Sequence, residues 1–124
     1  MIVLLVVRPG PLRDGLNALL SSMPEVQLVA QANDASAAID FCLGRPTELV
    51  IMEIKPGDRD LLTKVSDIKV LCPKGELIAL IHDEEDWEPA EAAGVDLIIR
   101  FGIRAAEFKA GIGEVVRSIS DASA

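Results

Sequence analysis

The stretch Glu48-Leu49-Val50-Ile51-Met52 opens with one acid and continues with consecutive apolar residues. Polar residues do not alternate within it, which is typical of a β-strand covered on both faces. Similar runs recur about every 23 residues and are the other predicted strands: Ile2–Val7, Val26–Ala30, Glu76–Ile81 and Val95–Ile99. Helical patterns lie between these runs, and this alternation predicts a parallel sheet with helices on both faces.

The segments between the strands carry helix signals. Two segments have apolar residues at helical spacing and are the predicted first and last helices: Leu12, Leu16, Leu19, Leu20 and Met23, then Phe108, Ile112, Val115 and Ile119. The predicted second helix begins at Asp34 and runs towards Leu43, where Gly44-Arg45-Pro46 ends it. The predicted third helix spans about Asp60–Leu71.

The predicted fourth helix opens at Asp83 or Glu84 and reaches Ala93, before Gly94. Pro89 lies inside it, and we expect this proline to shorten or kink the helix because proline lacks the backbone N–H.

Composition limits the possible functions. The 124 residues have the length of one globular domain, and 12 Lys+Arg against 20 Asp+Glu give a net charge of −8. A nucleic-acid binder needs a basic surface, so direct contact with nucleic acid is not expected. The opening apolar run is too short for a membrane span or a secretion signal, and we expect a cytoplasmic protein. Cys42 and Cys72 lack metal-site spacing and are expected to be small buried hydrophobic residues.

Four stretches resemble the receiver domain of bacterial response regulators. They are Leu4-Leu5-Val6, Leu12-Arg13-Asp14-Gly15-Leu16, Arg45-Pro46-Thr47-Glu48-Leu49-Val50-Ile51-Met52-Glu53-Ile54 and Glu91-Ala92-Ala93-Gly94-Val95-Asp96. Their order and spacing are similar to the family plan over nearly the whole chain. The first two helices look most like the subgroup whose receivers precede a helix-turn-helix output domain.

We therefore predict a three-layer, flavodoxin-like, doubly wound α/β fold. Its five-stranded parallel sheet has the order 2-1-3-4-5, with helices one and five on one face and helices two, three and four on the other. Residues 1–120 are the expected receiver-like domain. Residues 121–124 are the expected tail, the start of a linker to an output domain.

The chain departs from the family at the residues that carry its chemistry. The resemblance places Val7 and Arg8 where the family has an acidic pair for Mg²⁺, and Glu53 where it has the phosphoacceptor aspartate. Ile81 falls at the hydroxyl position and Phe101 at the lysine position, and neither side chain donates a hydrogen bond. We therefore expect no Mg²⁺, no phosphoryl transfer and no cofactor.

Two alternatives concern the arginines near this degenerate pocket. Arg8 and Glu53 follow adjacent central strands and are predicted to form a salt bridge, unless Arg8 merely points to solvent. A one-residue shift in the last strand would instead bring Arg100 to the position of the missing lysine. Ile98 replaces the aromatic residue that reports phosphorylation in the family.

The region of the fourth helix is a candidate interface. Eight acids and no Lys or Arg lie between Gly75 and Ile99, and the sole tryptophan, Trp87, lies among them. An acidic surface suits a basic partner or the basic residues of a second copy, whereas the plain alternative is a solvated face, with Trp87 packed on the last strand. The candidate interface residues are Asp83, Glu84, Glu85, Trp87, Glu88, Ile98, Arg100 and Arg104.

The sequence thus predicts a phosphorylation-independent regulatory domain of the two-component type, not an enzyme. It is expected to bind a protein partner or to form a homodimer, and to regulate transcription through an attached output domain. The alternative is a domain switched by a small ligand or metal at the carboxyl edge of the sheet, held by Arg8, Glu53, His82 or Asp83. A divalent site of Glu53, Asp58, Asp60, His82 and Asp83 is a further, weaker possibility.

Overall fold

The apolar runs form one parallel sheet. The computed structural model describes residues 1–57, 60–102 and 105–123. The strands are β1 (Ile2–Val6), β2 (Leu28–Ala32), β3 (Leu49–Ile54), β4 (Glu76–Ile81) and β5 (Leu97–Arg100). Their order is β2-β1-β3-β4-β5, and each neighbouring pair is parallel. The predicted fold class and strand order are confirmed.

Four of the five strands differ from the prediction by one or two residues at an end, and the starts of β2 and β5 show that burial and strand pairing are separate properties. Strand β2 begins at Leu28 instead of Val26, and β5 begins at Leu97 instead of Val95. Val26 and Val95 pack against the core from the turns that precede these strands. Their apolar character therefore reflects core packing, not membership of a strand.

The helices are α1 (Pro11–Ser21), α2 (Ala35–Gly44), α3 (Asp60–Thr63), α4 (Val65–Leu71), α5 (Trp87–Ala93) and α6 (Ala105–Ser123). Asp34 caps α2, since its side chain accepts a hydrogen bond from the Ala37 backbone N–H at 2.8 Å. Gly94 ends α5 in the left-handed conformation, with φ 93°. Helix α6 continues to Ser123, beyond the position at which the tail was expected to begin.

The predicted third and fourth helices are each modified. The third is broken at Lys64 into α3 and α4, although Leu62, Val65 and Ile68 keep one buried stripe across the break. That common stripe is why the apolar pattern does not reveal the break. A 3₁₀ turn, Glu84–Asp86, precedes α5, and Pro89 lies in the first turn of α5, where no intrahelical partner for its N–H is needed.

Two apolar clusters lie on the two faces of the sheet. Helices α2, α3, α4 and α5 cover one cluster, in which Met52, Ile68 and Ala90 are buried. Helices α1 and α6 cover the other, in which Leu16 and Ile112 are buried. This is the predicted division of helices between the faces. Among the described helices, none has the length and apolar composition that crossing a membrane requires.

Both cysteines lie in the first cluster as free thiols. Burial raises the pKa of the Cys42 thiol to about 12, with a further contribution from contact with Cys72. The two residues therefore pack as small apolar side chains, as predicted.

Gly75 provides a test of packing between α4 and β4. An added Cβ would lie 2.9 Å from the Thr47 backbone oxygen and 3.1 Å from Cys72 Cβ. We expect Gly75→Ala to lower the free energy of unfolding by about 1–3 kcal/mol, measured by urea denaturation. Gly111→Ala is the matched control, because a Cβ there meets nothing within 4 Å. Equal stability of both variants would contradict this packing.

Candidate functional site at the carboxyl edge

A buried carboxylate lies at the carboxyl edge of the sheet. Glu53 is the next-to-last residue of β3, and its register partner on β4 is Leu80. The side chain is only 5% exposed. An ionised carboxylate in such a place needs charged or hydrogen-bonding partners, because burial removes its water.

Arg8 supplies three of these hydrogen bonds. Its Nε donates to Glu53 Oε1 at 3.1 Å and its Nη2 donates to Glu53 Oε2 at 3.0 Å, which is the two-pronged geometry that a guanidinium offers a carboxylate. The Arg8 backbone N–H also donates to Glu53 Oε1, at 3.1 Å. The structure therefore brings together the two residues considered from the sequence as a salt bridge.

His82 supplies the fourth hydrogen bond, from the loop that follows β4. Its Nε2 lies 2.8 Å from Glu53 Oε2. Because an ionised carboxylate only accepts hydrogen bonds, Nε2 carries the proton. The imidazole packs against the ring of Phe101, with the ring centroids 4.8 Å apart. Arg8, Glu53 and His82, which we call the edge cluster, thus join three neighbouring strands.

The edge cluster determines the ionisation of Glu53. Burial alone raises the pKa of the Glu53 carboxyl, but the hydrogen bonds from Arg8 and His82 and the positive charge of Arg8 outweigh burial. Together they lower this pKa from 4.5 to about 2. Glu53 is therefore an anion at neutral pH, with hydrogen bonds to both of its oxygens.

The remaining residues of the predicted degenerate pocket are apolar, and two of them are buried in the core. Val7 is buried in the cluster beneath α1 and α6, and Ile81 is buried in the cluster on the opposite face. Phe101 follows β5 and is 47% exposed beside His82. The edge therefore has apolar side chains where the family resemblance implies polar ones.

Arg100 does not take the place of the missing lysine. Its Nη2 donates to Glu84 Oε1 at 2.7 Å, and its guanidinium carbon lies 4.8 Å from the centre of the Trp87 ring. In the structure Arg100 therefore pairs with Glu84 and not with Glu53. Residue 100 ends β5 with its side chain directed to the α5 side of the sheet.

The divalent site considered as an alternative is also not formed by those of its members that the structure describes. Glu53 and His82 bind each other, and the Asp83 side chain accepts from the Glu85 backbone N–H at 3.0 Å. Asp58 lies outside the described residues, and Asp60 begins α3. Within residues 1–57, 60–102 and 105–123, no group of three or more His, Cys, Asp or Glu is placed to hold a metal ion.

The candidate interface divides into an exposed part and a packed part. Asp83, Glu84, Glu85 and Glu88 are exposed. Trp87 and Ile98 are half-buried against the core, and Trp87 Nε1 donates to Glu91 Oε2 at 3.3 Å. The acids thus form an open surface. Trp87 is instead packed under Arg100 of β5, in agreement with the alternative in which Trp87 packs on the last strand. Arg104 lies outside the described residues.

Comparisons with known proteins were made at the level of sequence and of structure. No protein-family model and no curated protein sequence matches the chain. Solved structures do match. One is a LuxR family DNA-binding response regulator from Silicibacter pomeroyi, 18% identical, with a TM-score of 0.76 over 95% of this chain and 93% of that one.

A receiver domain protein (CheY-like) from Methanospirillum hungatei JF-1 is 18% identical, with a TM-score of 0.73 over 97% of this chain and 96% of that one. An adenylate cyclase from Rhodopirellula baltica is 15% identical, with a TM-score of 0.78 over 98% of this chain and 91% of that one. At such identities the likeness establishes the fold alone. The chain has the fold of response-regulator receiver domains.

The first prediction from the edge cluster concerns Arg8. We expect Arg8→Met to lower the free energy of unfolding, seen as a lower urea midpoint, because it leaves a buried carboxylate without its charged donor. Arg8→Lys, which keeps the charge but loses the two-pronged contact, should fall between this variant and the wild type. Arg45→Met is the control, because the Arg45 guanidinium lies 5.9 Å from the Phe41 ring and away from Glu53. Unchanged urea midpoints in Arg8→Met, with an unmoved Glu53 side-chain resonance, would refute the role of the pair.

Low pH should destabilise the fold through protonation of Glu53. Because the pKa of Glu53 is lower in the folded chain than in the unfolded chain, the unfolded chain binds more protons between about pH 4.5 and about pH 2. The contribution of Glu53 to stability should be complete above this interval and lost as the pH falls through it. Thermal unfolding from pH 7 to pH 2 should show a steeper acid loss for the wild type than for Glu53→Gln. Glu85→Gln, which removes an exposed carboxylate, should keep the wild-type profile. Parallel profiles for all three proteins would contradict the assignment.

Proposed function

We infer that this chain is a receiver-like regulatory domain that acts without phosphorylation. The observation that carries the inference is the state of Glu53, which occupies the phosphoacceptor position implied by the family resemblance. Each of its carboxylate oxygens accepts two hydrogen bonds, three in total from Arg8 and one from His82. Both oxygens of this carboxylate are engaged, so it would have to release Arg8 or His82 before it could attack phosphorus or bind a metal.

Charge supports the same inference. Phosphoryl transfer requires Mg²⁺ and fixed cations around the transferred group, since catalysis consists largely of positioning and charge neutralisation. Here Val7 is neutral, and Arg8 and Glu53 cancel each other. A neutral, hydrogen-bonded site does not attract a divalent cation.

In this proposal the edge cluster holds the domain in one conformation. Its function then depends on a surface that binds another protein. We propose that the exposed acids of the candidate interface, Asp83, Glu84, Glu85 and Glu88, bind a basic partner protein or a second copy in a homodimer. In this proposal the domain is cytoplasmic and not catalytic, and it regulates transcription through an attached output domain. The alternative, a ligand held directly by Arg8, Glu53 and His82, is less favoured because these groups bind one another.

The experiment is an amide NMR titration with Mg²⁺ and beryllofluoride, a mimic of the phosphoryl group. We expect no saturable shifts at Val7, Arg8, Glu53 or Ile81. A receiver domain with its full set of acidic residues, titrated in parallel, verifies that the reagent is active.

The matched variant is the double substitution Arg8→Asp and Glu53→Asp, which returns two carboxylates of the family pattern to this edge. We expect Mg²⁺ to shift the resonances of the variant but not those of the wild type. Saturable shifts in the wild type would overturn the proposed function.

A further inference from the structure

An apolar groove lies between α1 and α6, away from the acids of the candidate interface. Its volume is about 370 Å³, within the range of small-molecule sites. Leu12, Leu16 and Leu19 of α1 form one wall, and Phe108 of α6 and Phe101 form the other. Phe101 is 47% exposed, so the groove is open to solvent beside an aromatic ring.

Gly15, on the groove side of α1, has no evident structural reason to be glycine. It lies within the helix and is not among the residues with positive φ. A Cβ added there would meet nothing within 4 Å, so no close neighbour requires the missing side chain. Glycine weakens a helix interior relative to alanine. Because Gly15 has no side chain, the groove beside it is open.

Lys109 gives the groove its charge preference. It is the one charged residue among the described residues that line the groove. Within the described parts of the chain, no carboxylate lies within ion-pair distance of its ammonium group. The ammonium group of Lys109 at the rim of this apolar groove attracts an anionic group locally, against the net charge of −8 of the whole chain.

We propose that this groove binds a small amphipathic organic anion, a flat apolar body that carries one carboxylate or sulfonate. The body lies between the α1 leucines and the two phenylalanine rings, and the anionic group lies at Lys109. Phe101 also packs on His82, whose Nε2 is hydrogen-bonded to Glu53. A ligand in the groove would therefore contact the ring that packs against the edge cluster. The groove shares Phe101 with the degenerate pocket but is not lined by Glu53, so the proposal does not depend on the absence of phosphorylation.

The test uses 8-anilinonaphthalene-1-sulfonate as the probe, with binding followed by fluorescence and by amide NMR. We expect saturable binding of one probe per chain, with shifts confined to α1, α6, Phe101 and the His82 ring. Gly15→Leu places an apolar side chain in the groove from a position where the added Cβ meets nothing within 4 Å, and it should abolish binding. Gly111→Leu is the matched control on α6, since Gly111 has equal space but does not line the groove.

A second variant tests the anionic contact. Lys109→Gln should weaken the binding of the sulfonate probe by about fivefold, which is the effect of losing an exposed charge pair. Binding of the neutral analogue N-phenyl-1-naphthylamine should be unaffected. Binding that survives Gly15→Leu, or that is lost equally in Gly111→Leu, would overturn the groove as the site. Equal loss of both probes in Lys109→Gln would overturn the preference for an anion. Probe binding without a shift of His82 would overturn the link to the edge cluster.

Discussion

A carboxylate buried at the end of a central strand must be compensated, because an unpaired ion in the interior costs several kcal/mol. Glu53 is such a carboxylate, and its compensation organises the carboxyl edge of this sheet. Arg8 provides charge and three hydrogen bonds, and His82 provides the fourth. The same contacts that stabilise the ion also engage both of its oxygens. Under the proposed function, the stability of this edge and the loss of phosphoacceptor chemistry have one physical cause.

The fold could be predicted because burial on both faces leaves a simple signal, the unbroken apolar run of a central strand. The runs of β1, β3 and β4 are of this kind. The signal is weaker at the sheet edges. There, Val26 and Val95 belong to the apolar run and to the core but not to the strands. The break at Lys64 gave no signal either, since the buried stripe of α3 continues into α4.

The contact of Arg8 with Glu53 could be proposed from the sequence because the strand order makes β1 and β3 neighbours, with both residues near the same edge. The bond from His82 was not predicted, although β4 is the other neighbour of β3 and its following residue reaches the same edge. Sequence places such residues near one another but does not give the direction of each side chain. Arg100 illustrates this limit, since its guanidinium packs on Trp87 instead of turning towards Glu53.

One contact of the edge cluster involves the main chain and not a side chain. The Arg8 backbone N–H donates to Glu53 Oε1. This contact therefore depends on the position of the backbone after β1, and not only on the conformation of the Arg8 side chain. A slip of β1 by one residue along β3 would carry this donor about 3.3 Å away from its acceptor. It would also turn the apolar side chains of β1 to the opposite faces of the sheet. The edge cluster therefore acts as a register lock between the two central strands.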